Sequence, residues 1–109
     1  MKKLITFMIF FALCGCGQKE VSELDTIIKE NNYIIVDVRT KEEFASGHVV
    51  NAINIPLDDL KNATFDKTKT IIIYCKSGRR SALAYDKLTS LGIKAFDLGA
   101  YDNITLEKK

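Results

Sequence analysis

The chain has 109 residues, 47% of them hydrophobic and 28% charged, and a formal net charge of +2 at pH 7. That is the balance of one small globular domain, close to the lower size limit for a self-sufficient core. Lys2 and Lys3 account for the whole excess, so without residues 1–15 the formal charge is 0 (2 − 2), and basicity gives no argument for nucleic acid as a partner.

The front end reads as a processing signal. Met1-Lys2-Lys3 is a basic start, and Leu4 to Leu13 is an apolar run of roughly ten residues, half of what a bilayer-spanning helix needs. Leu13-Cys14-Gly15-Cys16 resembles the bacterial lipobox, in which small residues precede a cysteine that becomes the lipidated first residue after cleavage. Cys16 is therefore the expected diacylglyceryl acceptor. Residues 1–15 are then a lipoprotein signal peptide, 16–20 a lipidated tether and 21–109 the folded domain. Acyl chains contribute ~0.8 kcal/mol per buried CH₂, so several on one residue anchor a protein without a transmembrane helix. The expected location is an exported domain facing the periplasm or the cell exterior, held by lipid to the inner or outer membrane.

Along the domain, Ser22 can cap a helix to about Glu30 that places Leu24, Ile27 and Ile28 on one face. Tyr33 to Val38 is an apolar, β-branched run of the kind buried on both faces of a parallel sheet. Thr40 with Glu43 has the form of a capping box, and it starts a short helix stopped by Gly47. Ala52 to Ile55 reads as a strand closed by Pro56, and Leu57 to Asn62 as a helical turn. Thr70 to Cys75 is the second strong strand. It leads through a short loop into a helix over Ser81 to Leu91, with Ala82, Leu83, Leu88 and Leu91 as its apolar stripe and Gly92 past its end. Lys94 to Leu98 is the last strand, and Glu107-Lys108-Lys109 is expected to fray. Alternating strands and helices predict an α/β domain, a small parallel-type sheet with helices on both faces. Asp37-Val38-Arg39 and Cys75 follow apolar strands, which places both on the carboxyl edge, where such sheets bind ligands.

Cys75-Lys76-Ser77-Gly78-Arg79-Arg80-Ser81 carries the chemistry. With Cys16 acylated and Cys14 removed, Cys75 is the one free thiol of an exported chain, where structural cysteines ordinarily pair. A thiolate is favoured at a helix N-terminus, by orphan N–H groups and the positive dipole end. Gly78 permits a tight turn in which successive N–H groups converge on an anion. Arg80 lies five positions after Cys75, and position six is Ser81, whereas Cys-x5-Arg phosphatases have arginine at six. The frame fits sulfur transfer better than phosphate.

Cys-x-x-Gly-x-Arg-Ser, preceded by Asp37-Val38-Arg39 and by Glu43-Phe44-Ala45-Ser46-Gly47-His48-Val49, resembles the rhodanese (thiosulfate sulfurtransferase) domain in its single-domain form, from about Val21 to Tyr101. Asn51 stands where the family commonly has glycine, Ala100 stands for the second glycine of Leu-x-Gly-Gly, and the family's tryptophan is missing. Asn51 is the milder change, since asparagine tolerates left-handed backbone angles. The resemblance implies a rhodanese-like fold and a persulfide-forming Cys75. It implies a loop of Lys76, Ser77, Gly78, Arg79, Arg80 and Ser81 that cradles the bound sulfur, with Arg80 orienting loop and substrate. Lys76 and Arg79 are read as solvated charges that guide anions, and Ser77 and Ser81 as loop and helix-capping hydroxyls. Asp37 and Arg39 are read as a supporting ion pair beneath the loop in preference to substrate contacts. His48, the single histidine, is read as a turn element, and Tyr101 as packing near the site mouth.

The expected activity moves sulfane sulfur from thiosulfate or a similar anionic donor to a thiol or cyanide acceptor, with no metal and no cofactor. Two rivals stay open: a phosphatase or arsenate reductase with a related loop, and a non-catalytic module that carries a persulfide or docks a partner.

Overall fold

The computed structural model describes residues 23–109. The signal peptide, lipobox and Cys16 lie outside the described residues. The described residues fall into two units, 23–31 and 32–109. In the first, a helix, α1, runs over residues 23–30, its expected cap Ser22 lying outside the described residues, and Asn31 closes it with φ +55° and an N–H donated to Ile28 O at 3.1 Å.

The second unit is built on four parallel strands, β1 (Tyr33–Asp37), β2 (Ile53–Asn54), β3 (Thr70–Cys75) and β4 (Ala95–Ala100), in the order β2-β1-β3-β4. Between them run α2 (Lys41–Ala45), a 3₁₀ helix at Leu57–Asn62, and α3 (Arg79–Ser90), and a 3₁₀ turn at Tyr101–Asn103 follows β4. The capping box is formed: Thr40 Oγ1 accepts the Glu43 N–H at 3.2 Å, and Glu43 Oε1 accepts the Thr40 N–H at 2.9 Å. The predicted strand at Ala52–Ile55 shrinks to two residues because β2 pairs with β1 only at Val36 and Asp37.

The sheet is buried at its centre, as the two apolar runs require. Ile71, Ile72, Ile73, Tyr74 and Cys75 of β3 have no exposed surface. Alternation sorts their side chains. Val36 and Val38 join Ile71, Ile73 and Cys75 in one cluster with Leu60 of the 3₁₀ helix and Ala84 and Leu88 of α3. Asp37 and Tyr74, register partners, point to the opposite face.

Two expectations are corrected. The buried stripe of α3 is Ser81, Ala84 and Leu88, while Ala82 is exposed and Leu83 and Leu91 stand 52% and 54% exposed. The cause lies at the start of the helix, which opens at Arg79 rather than Ser81. There the Ser81 N–H is drawn inward onto Cys75 Sγ, and the positions three and seven residues on follow it to the core. The far end behaves as read. Gly92, at φ +79°, donates to Thr89 O, and Ile93 donates to Leu88 O, a Schellman closure in which Ile93 and Leu88 also share the core.

The second correction is the tail, which is not frayed. His48 N–H donates to Lys109 O at 3.0 Å, Lys109 N–H to His48 O at 2.8 Å, and Val50 N–H to Glu107 O at 2.8 Å. The last residues thus satisfy the backbone of His48 and the N–H of Val50 across an antiparallel bridge between buried Val49 and Lys108. Deleting Glu107–Lys109 is expected to destabilise the domain by about 1–3 kcal/mol, read as a lowered urea midpoint. An unchanged midpoint would show the pairing to be without weight.

Candidate active site

Cys75 ends β3 and has no exposed surface. Its Sγ accepts the N–H of Gly78 at 3.0 Å and of Ser81 at 3.3 Å, across a bend of exposed Lys76 and Ser77. Gly78 makes the path possible as N-cap of α3 at φ +96°. A Cβ there would lie 3.8 Å from Ala100 N, an ordinary contact, so backbone angle rather than space requires glycine. The neighbouring wall comes from a bulge at Leu98, where Ile73 pairs with Asp97 but Tyr74 with Gly99. Gly99 takes φ +85° and donates to Asp97 Oδ1 at 2.8 Å. Ala100 sits at φ −82°, a conformation that needs no glycine, so the departure at this position is harmless to the backbone. Asn51 takes φ +72°, the left-handed angle that a glycine would otherwise supply.

Ser81 Oγ lies 3.6 Å from Sγ and 3.2 Å from Gly78 O. In the thiol state Sγ–H donates to this hydroxyl, which donates on to Gly78 O. In the thiolate state the hydroxyl proton has an anion to turn to. Burial pushes the Cys75 thiol up, but the Ser81 hydroxyl and the N–H groups of Ser81, Gly78 and Ser77 favour the anion more strongly, so the thiol lies below its ordinary value. Ser81 is therefore a thiol partner inside the first turn, not the helix cap expected from sequence. Ser77 Oγ accepts the Arg79 N–H at 3.4 Å, and Lys76 and Arg79 are exposed.

Arg80 does not point freely at the loop. Its Nη1 and Nη2 donate to Glu43 Oε1 and Oε2 at 2.8 and 3.1 Å, tying α3 to the first turn of α2. That hydrogen-bonded guanidinium, helped by Thr40, holds the Glu43 carboxyl down to about 2 although partial burial opposes it. Sequence reading saw Glu43 only as a cap. The pairing joins residues 37 positions apart, and the one signal for it was an unbalanced acid and arginine on two adjacent loops of one edge.

Asp37 and Arg39 reach the same edge but serve the other face. Arg39 Nε donates to both Asp37 carboxylate oxygens at 2.9 Å, and Nη2 donates to Asp37 Oδ2 and to Gly47 O at 2.6 Å. Its guanidinium lies 4.4 Å from the Tyr101 ring centroid and 5.5 Å from that of Tyr74. The pair is a brace for the Gly47 turn and Tyr101, on the face away from Cys75, rather than a layer under the loop. Burial lowers the Arg39 pKa, and the bonds to Asp37 more than reverse this. Tyr74 Oη accepts the Val49 N–H at 3.0 Å, and burial raises its phenol. His48 stacks on Phe44 at 3.7 Å, with Nδ1–H donated to Phe44 O at 2.9 Å. Its side-chain contacts are thus to Phe44 of α2.

A buried cysteine thus sits in a turn of inward N–H groups, between a parallel strand and a helix. The family model for the rhodanese-like domain matches residues 20–105, and the chain belongs to that family. Among solved structures, an E. coli rhodanese with anions superposes with a TM-score of 0.65 at 34% identity, over 71% of this chain and 96% of that one. A rhodanese-like domain protein from Staphylococcus aureus does so at 0.60 and 38%, over 63% and 70%. The thiosulfate sulfurtransferase PspE of Escherichia coli is 41% identical over 61 residues, 52% of this chain and 59% of PspE. A tRNA sulfurtransferase of Thermoplasma acidophilum is 36% identical over 63 residues, 58% of this chain and 13% of that protein. The chain thus spans less than two thirds of either curated relative.

Ser81→Ala removes a donor to the charged form while leaving the Ser81 N–H in place. The Cys75 thiol should therefore rise by roughly half to one pH unit, read as an upward shift in the pH profile of iodoacetamide alkylation. A profile that stays put or moves down would take the hydroxyl out of the site.

Proposed function

We propose that the protein is a sulfurtransferase that accepts sulfane sulfur from thiosulfate or a similar donor as a persulfide on Cys75 and passes it to a thiophilic acceptor. The observation that supports this most directly is the pair of backbone N–H groups at 3.0 and 3.3 Å from Cys75 Sγ. Neutral, fixed donors stabilise the attacking thiolate and suit the persulfide anion that replaces it. The Cys75 thiolate attacks the outer sulfur of thiosulfate. A new S–S bond forms, the bond between the two donor sulfurs breaks with its electron pair, and sulfite leaves. Cyanide or a thiolate then takes the outer sulfur, and the Cys75 thiolate returns in a two-step covalent cycle.

The phosphatase reading loses support from Arg80, which lies one position short of Cys-x5-Arg and is held by Glu43. Cys75→Ser is expected to lower thiosulfate:cyanide sulfurtransfer to background with the circular dichroism spectrum kept, since a hydroxyl cannot carry a persulfide. Substantial activity in that variant would end the covalent mechanism.

We also propose, from the lipobox-like Leu13-Cys14-Gly15-Cys16, that the domain is carried on acyl chains at Cys16. In a bacterial host, Cys16→Ala should abolish palmitate labelling and leave a precursor. Label on the variant would refute the anchor.

A further inference from the structure

Three loops meet at the carboxyl edge of the sheet, and they carry charges in alternation. Buried Asp37 is bonded to Arg39, and Glu43 is bonded to Arg80. The charged groups that act on Arg80 are Glu43, Cys75 and Arg39, and Arg80 acts on Glu43 in turn, while Lys76 and Arg79 stand exposed. The Glu43–Arg80 link differs from an ordinary surface pair in two respects. It is bidentate, which commits both terminal nitrogens of the guanidinium, and Glu43 is itself fixed, because the same Oε1 accepts the Thr40 N–H that closes the capping box. Both side chains are about two-thirds buried or more, with 31% of Arg80 and 27% of Glu43 exposed.

We propose that Glu43 is a positioning residue of the sulfur-transfer site, which clamps Arg80 onto α2, holds its guanidinium out of the cradle and cancels its charge, so that the site discriminates against doubly charged anions and favours sulfane donors of lower charge, such as a thiol persulfide. This rests on the sulfurtransferase reading for its donor class. The physical argument is one of what is left to attract the substrate. With Arg80 neutralised, the anion binding of the cradle comes from N–H dipoles, which suffice for a single negative charge on sulfur. A dianion such as thiosulfate or phosphate gains most from a guanidinium that meets it bidentately, and Arg80 is committed to Glu43, which leaves only the exposed, solvent-screened Lys76 and Arg79.

Glu43→Gln keeps an oxygen for the Thr40 N–H but removes the charge that holds Arg80. The freed arginine should lower the midpoint of Cys75 alkylation by iodoacetamide by about one pH unit. It should also make millimolar inorganic phosphate protect Cys75 from alkylation about tenfold better, and lower KM for thiosulfate about fivefold with a smaller change in kcat. Arg80→Met alone uncovers the Glu43 carboxylate and should raise the alkylation midpoint, and in the Glu43→Gln background it should abolish the gain in phosphate protection. The proposal is overturned if Glu43→Gln leaves the midpoint and the phosphate protection unmoved, or if the gain in phosphate protection survives Arg80→Met in the Glu43→Gln background. Alkylation needs no sulfur transfer, so these two arms decide the role of Glu43 even if thiosulfate leaves no sulfur on Cys75.

Discussion

The N–H groups of Gly78 and Ser81 on Cys75 Sγ are the constraint that organises this domain. For both to reach one sulfur, the chain must reverse within three residues of the end of β3, which forces Gly78 to φ +96° and starts α3 at Arg79. Once Ser81 faces the sulfur, Ala84 and Leu88 face the sheet, and Leu83 and Leu91 are left in solvent. The phase of the longest helix in the described residues is thus set by the site and not by where its largest apolar residues fall. Core and cradle are one structure, since Cys75 belongs to the same buried cluster as Val36, Ile73 and Leu88.

The two arginines of the edge show how similar pairs can do different work. Arg39 and Asp37 are both removed from water, so each depends on the other, and leaving one alone would cost several kcal/mol. That pair holds the Gly47 carbonyl and the Tyr101 ring, and so shapes the turn that carries His48 and receives the chain's last residues. Arg80 and Glu43 are partly exposed and sit on the face of the cysteine loop. Their pairing ties the first turn of α3 to the first turn of α2.

Much of the frame was legible in the sequence because it rests on local chemistry. Thr70–Cys75 and the Thr40/Glu43 box occur with the bounds and bonds their residue types dictate, and Asn51 takes the left-handed angle that its amide side chain tolerates. What stayed hidden depends on partners far away along the chain. The tail looked free because its hydrogen-bond partners lie at residues 48–50, some sixty positions earlier. The stripe of α3 was misread because leucine at helical spacing was weighed, while the inward pull on Ser81 by a sulfur was not. Glu43 read as a cap is correct and incomplete, since one oxygen closes the helix while both hold Arg80. The side to which Asp37 and Arg39 turn follows from strand parity and could have been deduced from Tyr74 preceding Cys75.

The central claim is that a buried thiol held by neutral donors is the carrier of sulfur. Intact-mass spectrometry of the domain after brief exposure to thiosulfate, followed by removal of excess donor, tests this most directly. The account predicts one added sulfur atom per chain, located on the Cys75 peptide and lost on addition of cyanide. A mass that does not change in the wild-type chain, or a sulfur found elsewhere, would contradict it.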